Sequence, residues 1–357
     1  MAVAPEFLPR IRRNERMSRH TSWHVGGPAE IFFTPRDRAD LAAFLRTVPP
    51  EVPVHWIGLG SNLLVRDGGL KGVVIALHGA LERLERLDER TVYCEAGVAC
   101  ARIARQCVKW RLGPAEFFAG IPGTLGGALA MNAGAFGGET WRHVVEVETV
   151  DRRGVEHKRA AAEYEVGYRH VRAPAAGEGF LAARLRFERV RAGAAIPQPA
   201  AAIAASSGTI GASGAAGATR AVGANGASGA TVESAPTVES PAAAAEAAVD
   251  GVRALLERRK ATQPIGEWSC GSVFTNPPGD HAARLIEAAG LKGHRIGDAS
   301  VSTKHANFII NHGAASAADI ERLIEHVRAA VERVHGVRLV PEVRIVGEPA
   351  AAARGGD

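Results

Sequence analysis

Cysteine, methionine and tyrosine are scarce in this 357-residue chain, at four, three and three residues, and aromatic side chains make up only 5% of it. The four cysteines, Cys94, Cys100, Cys107 and Cys270, form no Cys-x-x-Cys pair and no zinc-type cluster. That spacing excludes a disulfide scaffold and leaves reduced thiols in core or helix positions, with no metal site expected. A run of about 18 apolar residues is missing, so the sequence predicts no membrane-spanning helix and no membrane association. The first ten residues reach charge too early to hold the apolar region of a signal peptide, so a cytoplasmic location is expected. The charge excess is small, +5, and scattered. Its densest knot is Arg10, Arg12 and Arg13, and no nucleic-acid-binding motif accompanies it, so anionic small ligands suit the balance better than DNA or RNA.

What is present is an ordinary globular composition, 46% apolar and 23% charged, at a length that suits two or three domains of about 150 residues. One stretch stands apart. Residues 193–232 are almost all small or aliphatic, with Arg220 the only charge, too little apolar area to offset the entropy of ordering them. The expected division is therefore residues 1–190, a low-complexity insert or linker over 191–245, a second part over 246–348, and a disordered tail over 349–357. Both main parts read as α+β. Strands are expected at 52–57, 72–77 and 91–95, an amphipathic helix at 100–111, and a hairpin from 144–150 through Arg153-Gly154 into 155–158. In the second part a helix carries Val249, Val252, Leu255 and Leu256 on one face, and another spans 280–289 and closes at Gly290. A third runs over 316–335, with a Ser316/Asp319 capping box, a stripe of Ile320, Leu323, Ile324, Val327, Val331 and Val334, and Gly336 as its stop. A strand over 338–346 follows.

Two glycine-rich loops are candidate anion nests or ordinary tight turns. One is Gly58-Leu59-Gly60-Ser61-Asn62. The other begins Gly120-Ile121-Pro122-Gly123-Thr124-Leu125-Gly126-Gly127 and continues through Asn132 and Gly134 to Gly137. Neither matches the Gly-x-Gly-x-x-Gly dinucleotide fingerprint, and no Gly-Lys-Ser/Thr phosphate loop occurs. Further polar groups sit at Tyr168-Arg169, at Gly271-Ser272-Val273-Phe274-Thr275-Asn276, at Ser302-Thr303-Lys304-His305, and at Pro341-Glu342-Val343-Arg344. Arginine offers a rigid fork for carboxylate or phosphate. Ser272 lacks a Gly-x-Ser-x-Gly elbow, which argues against acyl transfer.

The order of these motifs resembles the UDP-N-acetylenolpyruvoylglucosamine reductase family. The likeness starts at Thr21-Ser22-Trp23-His24-Val25-Gly26-Gly27-Pro28-Ala29. It continues through both glycine loops, Tyr168-Arg169, Gly271-Ser272-Val273-Phe274, Ala289-Gly290-Leu291-Lys292-Gly293 and residues 301–311, and ends at Pro341-Glu342-Val343-Arg344. The resemblance implies an FAD-binding domain of the vanillyl-alcohol-oxidase (PCMH) type in two α+β subdomains, followed by a C-terminal α+β domain for the substrate. It implies FAD and NADPH as cofactors and reduction of the enolpyruvyl ether of UDP-N-acetylglucosamine enolpyruvate to UDP-N-acetylmuramate, a step of peptidoglycan precursor synthesis. No obligate protein partner is implied.

By the same resemblance, Arg169 polarises the substrate, Ser272 donates a proton and Glu342 assists. Gly58 to Asn62, Gly120 to Thr124, Gly126, Gly127, Asn132 and Gly134 hold FAD, while Tyr168, Asn276, Lys304 and His305 meet the substrate. Thr262 and Thr275 stand where relatives often carry lysine, with Lys260 a substitute for the first. The wording of 301–305 resembles the subtype without a substrate-capping tyrosine loop. The competing readings are an FAD-dependent oxidase of the same superfamily acting on an alcohol or hydroxy acid, and a nucleic-acid binder.

Overall fold

Leu70–Ala76 is the middle strand of the first sheet and is buried along almost its whole length, as a strand covered on both faces must be. Pro28–Phe33 and Val54–Ile57 flank it in parallel, and Ile11–Arg16 adds antiparallel at the edge. These belong to a computed structural model that describes residues 3–190 and 241–350, with side chains from 252 onward in the second span. Most of the expected insert and tail lies outside the described residues. Helix α1, Arg38–Thr47, starts where the Asp37 side chain accepts the Asp40 N–H. It buries Leu41, Phe44 and Leu45 on this sheet, with the Phe44 ring stacked on Phe33 at 3.9 Å between centroids.

The second sheet is antiparallel, in the order Glu156–Ala160, Val144–Val150, Gly179–Arg186, Thr91–Glu95, Leu84–Arg86. Helix α2, Cys100–Trp110, lays Cys100, Ile103, Ala104, Cys107 and Val108 into its core. All four cysteines are buried and free. Burial pushes the Cys107 thiol up to about 12, so it is inert as a nucleophile. Helix α3, Leu125–Met131, follows the turn of the second glycine loop.

Helix α4 runs over Pro241–Thr262. It packs on α2 and on the Glu116–Gly120 turn, and Val252 joins the N-terminal core. By packing, α4 thus sits with the first half of the chain rather than with the second part in which the sequence reading put it. Of the expected face, Val252 is buried but Leu256 is exposed, and Val249 lies outside the described side chains.

Helix α5 is Ala282–Ala288, and Gly290 follows it at φ +73°. Helix α6 is Ala317–His335, with the Ser316/Asp319 capping box and Gly336 at φ +66°. Its stripe is buried as far as Val331, whereas Val334 is 52% exposed because the core ends one turn before the helix does. The three-stranded sheet Arg295–Ile296, Ala299–Val301, Ile309–Asn311 lies against α6. The expected strand over 338–346 shortens to Arg344–Val346. Pro341 has no N–H to donate, and the chain there makes only a single bridge to Phe274.

The two halves interlock. Arg344–Val346 pairs in parallel with Leu63–Val65. Trp23 is fully buried in the C-terminal core; its indole N–H donates to the Ile309 carbonyl at 2.8 Å, and the Asn311 amide returns a bond to the Trp23 carbonyl. The Asp67 carboxylate accepts the Ala317 and Ala318 N–H groups at the start of α6, and Arg66 forks onto Glu321. Among the described residues no helix is long and apolar enough to cross a membrane.

Candidate active site

A cavity of about 360 Å³ opens between the two N-terminal sheets. Val54, Trp56 and Ile57 from the first sheet and Gly179 and Phe180 from the second form apolar walls, and Thr124, Gly126 and Gly127 of the second glycine loop and α3 close one side. The two glycine loops meet here. A Cβ on Gly58 would stand 2.3 Å from the Thr124 hydroxyl, and one on Gly60, at φ +60°, would stand 1.9 Å from the His20 carbonyl. Close approach of backbone to neighbours dictates glycine at both positions.

Arg344 in the cavity wall lies two residues from Glu342, one of the residues that the sequence singles out for chemistry. Tyr168-Arg169 forms the turn between the short strands Glu165–Gly167 and His170–Arg172, with Arg169 in the left-handed region at φ +54°. Arg169 Nε lies 3.0 Å from Glu342 Oε1, off the N–H axis, so the contact is an ion pair and not an aligned hydrogen bond. Its Nη2 donates to the Gly134 carbonyl at 3.0 Å. Tyr168 is exposed, with the Arg169 guanidinium 5.6 Å from its ring centroid. The side chains of Arg169 and Glu342 are 20% and 10% exposed. Burial pushes the Glu342 carboxyl above the usual carboxylate range, and the Arg169 charge draws it only part of the way back. Ser272 precedes Val273, whose carbonyl accepts the Glu342 N–H at 2.8 Å. That bond sets the backbone next to Ser272 beside the backbone of Glu342, whose side chain meets Arg169.

Three asparagines pin the backbones that carry these groups. The Asn62 amide donates to the Glu342 carbonyl at 3.0 Å. Asn132, left-handed at the end of α3, donates to the Gly167 carbonyl and accepts the Trp141 N–H. Asn307 accepts the Phe274 N–H and donates to the Phe274 carbonyl, while its own carbonyl takes the Val273 N–H. Asn132, expected to hold FAD, ends α3 beside the glycine loop with its side chain bonded to protein groups. Asn307 was not singled out by the sequence reading as a site residue. A buried amide behind a partly buried serine turn leaves little trace in a linear pattern.

The expected substrate contacts are more dispersed. The Asn276 side chain accepts the Ala282 N–H at the start of α5. Lys304 Nζ donates to the Lys260 carbonyl near the end of α4 at 2.5 Å. His305 packs edge-on to Phe308, its Nδ1 accepts the Asn307 N–H, and burial lowers its pKa. Thr262 and Thr275 turn their hydroxyls to the Arg258 and Val340 carbonyls. Sequence reasoning also passed over Arg344, which lines the cavity. The available signal was its place two residues after Glu342.

Comparison with known proteins places this architecture. Residues 29–158 match the FAD binding domain family, and residues 263–346 match the family described as UDP-N-acetylenolpyruvoylglucosamine reductase, C-terminal domain. The UDP-N-acetylenolpyruvoylglucosamine reductase of Alkalilimnicola ehrlichii is 54% identical over 349 residues, covering 98% of this chain and 99% of that protein. The protein of the same name from Methylococcus capsulatus is 49% identical, covering 95% of this chain and 93% of its own length. The crystal structure of the Thermus caldophilus UDP-N-acetylenolpyruvylglucosamine reductase superposes with a TM-score of 0.67 at 27% identity, over 94% of this chain and 98% of that one.

Proposed function

The chain belongs to the UDP-N-acetylenolpyruvoylglucosamine reductase family and is an FAD-containing oxidoreductase of peptidoglycan precursor synthesis; on that premise we propose that Arg169, Ser272 and Glu342 form the centre at which the enolpyruvyl ether is reduced. The observation that carries this reading is the largely buried Arg169–Glu342 pair, 3.0 Å apart, with Glu342 two residues from Arg344 in the wall of the cavity between the two N-terminal sheets.

The cavity suits FAD. A Cβ on Gly127 would meet nothing closer than the Thr124 hydroxyl at 4.0 Å, so the loop presents bare backbone, while the opposite walls are apolar. Gly58, Thr124, Gly126 and Gly127 are the residues that would hold the dinucleotide, and the cofactor supplies the hydride that NADPH provides.

The rest of the chemistry falls to the protein. Reduction of the vinyl carbon places negative charge on the carbon beside the substrate carboxylate. Arg169, fixed by the Gly134 carbonyl and its own left-handed turn, binds that carboxylate and stabilises the charge. Glu342 keeps its proton more readily than an ordinary carboxyl. A protonated Glu342 leaves the guanidinium available to the substrate and supplies a hydrogen-bond donor. Ser272 hands its hydroxyl proton to the carbon; a serine can serve only because the carbanionic centre is strongly basic. In this reading Tyr168, Asn276, Lys304 and His305 are the groups that meet the nucleotide sugar.

In domain terms, residues 1–190 form the cofactor half and 246–348 supply the substrate face, with α4 returning to pack on the cofactor half. A cytoplasmic setting belongs to the same proposal. The test is spectroscopic. Purified protein is expected to carry FAD, to bleach with NADPH and to recolour with UDP-N-acetylglucosamine enolpyruvate under anaerobic conditions. A colourless protein that refuses added FAD, or rapid oxygen consumption with simple alcohols, overturns the assignment.

A further inference from the structure

Among the described residues that line the cavity, Arg344 carries the one guanidinium or ammonium group; the other ionisable side chains there are His55 and Glu178. Glu178 is neutralised by Arg159. Arg344 is exposed, and among the described residues it has no carboxylate partner. Its position is fixed at two points. The backbone N–H donates to the Asn62 carbonyl at 3.2 Å, and Nη2 donates to the Ala130 carbonyl at 3.2 Å.

Those anchors locate the charge along the cavity. Ala130 lies at the last turn of α3, about 6 Å along the helix from Gly126 at 1.5 Å per residue. Asn62 also holds the Glu342 carbonyl. Arg344 is also close in the chain to Glu342, from which the buried Val343 bend alone separates it. The guanidinium therefore belongs to the end of the cavity nearest Arg169 and Glu342, not to the bare Gly126-Gly127 backbone.

We infer that Arg344 faces the ring end of the bound flavin cofactor and stabilises the negative charge the ring carries once reduced. This rests on the reading that the cavity binds FAD. A fixed cation beside a ring that gains two electrons and one proton lowers the energy of the anionic reduced form relative to the neutral oxidised form. It acts on the cofactor's affinity in one redox state more than in the other, and so sets its potential. A cation serving only the diphosphate would affect both states alike.

The experiment measures the affinity of apoprotein for oxidised FAD in air and for dithionite-reduced FAD under anaerobic conditions, in the wild type, Arg344→Gln and Arg344→Lys. Circular dichroism and thermal melts check folding. The expected result is that Arg344→Gln loses roughly tenfold more affinity for the reduced than for the oxidised cofactor. By the thermodynamic cycle that is a midpoint potential lower by about 30 mV for a two-electron couple. Arg344→Lys, which keeps the charge, retains most of the preference for the reduced form. Equal loss in both states, no loss in either, or a folded Arg344→Gln protein that binds neither form overturns the inference. Failure of the wild type to bind FAD at all would instead overturn the functional reading on which it rests.

Discussion

The Nε of Arg169 and the Oε1 of Glu342 stand 3.0 Å apart, joining a hairpin turn of the N-terminal half to a segment close to the end of the fold. The guanidinium offsets only part of the burial that raises the Glu342 carboxyl.

The first prediction concerns pH. Because Glu342 is raised, its protonated form persists above the ordinary carboxylate range and is lost as pH rises through the folded-state value. Turnover that needs the protonated form should fall over that window in the wild type. Glu342→Gln, which cannot ionise, should lose this limb of the kcat/KM profile while turning over more slowly throughout. An unchanged limb in the variant assigns the titration to another group.

Asn307 fixes the Ser272 segment with two side-chain hydrogen bonds to Phe274. Asn307→Ala leaves the buried Phe274 N–H and carbonyl without these partners, at a cost of about 2–3 kcal/mol. A lower midpoint in urea and a drop in kcat larger than any change in KM are expected. Wild-type stability would show that the segment is held by its other contacts.

Gly58 sits against Thr124 where the two glycine loops meet. Gly58→Ala brings a methyl to 2.3 Å from the threonine hydroxyl, so one loop must shift away from the cavity wall. Reduced FAD content after purification, read from the ratio of visible to ultraviolet absorbance, is the expected outcome. Full occupancy would mean that the loop contact does not shape the cofactor cleft.

The Arg66–Glu321 fork joins the N-terminal half to α6. The hydrogen bonds from Arg66 hold the Glu321 carboxyl below its ordinary value. Its contribution is therefore present above the unfolded-state carboxylate range and lost as pH falls through the lowered folded value. Glu321→Gln should cost about 0.5–1 kcal/mol near neutral pH, since both side chains are partly exposed. The difference from wild type in thermal melts should close in acid. A gap that persists at low pH points to lost packing and not to charge.

Much of this arrangement was legible in the sequence where one local signal sufficed. Thr91–Glu95 and the capped helix α6 follow from alternation and from Ser316, Asp319 and Gly336. Errors arose where tertiary packing decides. Leu256 and Val334 continue a helical stripe past the edge of the core they were expected to fill, and α4 returns to α2 although the chain order suggested the second part. Pro341 interrupts what the apolar pattern read as one strand. The catalytic candidates could be named from family resemblance alone, but the Asn62, Asn132 and Asn307 braces could not. Their roles depend on carbonyls and N–H groups whose positions exist only in the folded chain.

The most direct measurement of the central claim separates the two halves of turnover in Ser272→Ala by anaerobic stopped-flow absorbance. The account predicts bleaching by NADPH at the wild-type rate and recolouring by UDP-N-acetylglucosamine enolpyruvate slowed by about 100-fold or more, the share typical of a positioned proton donor. Equal slowing of both halves, or recolouring at the wild-type rate, would contradict it.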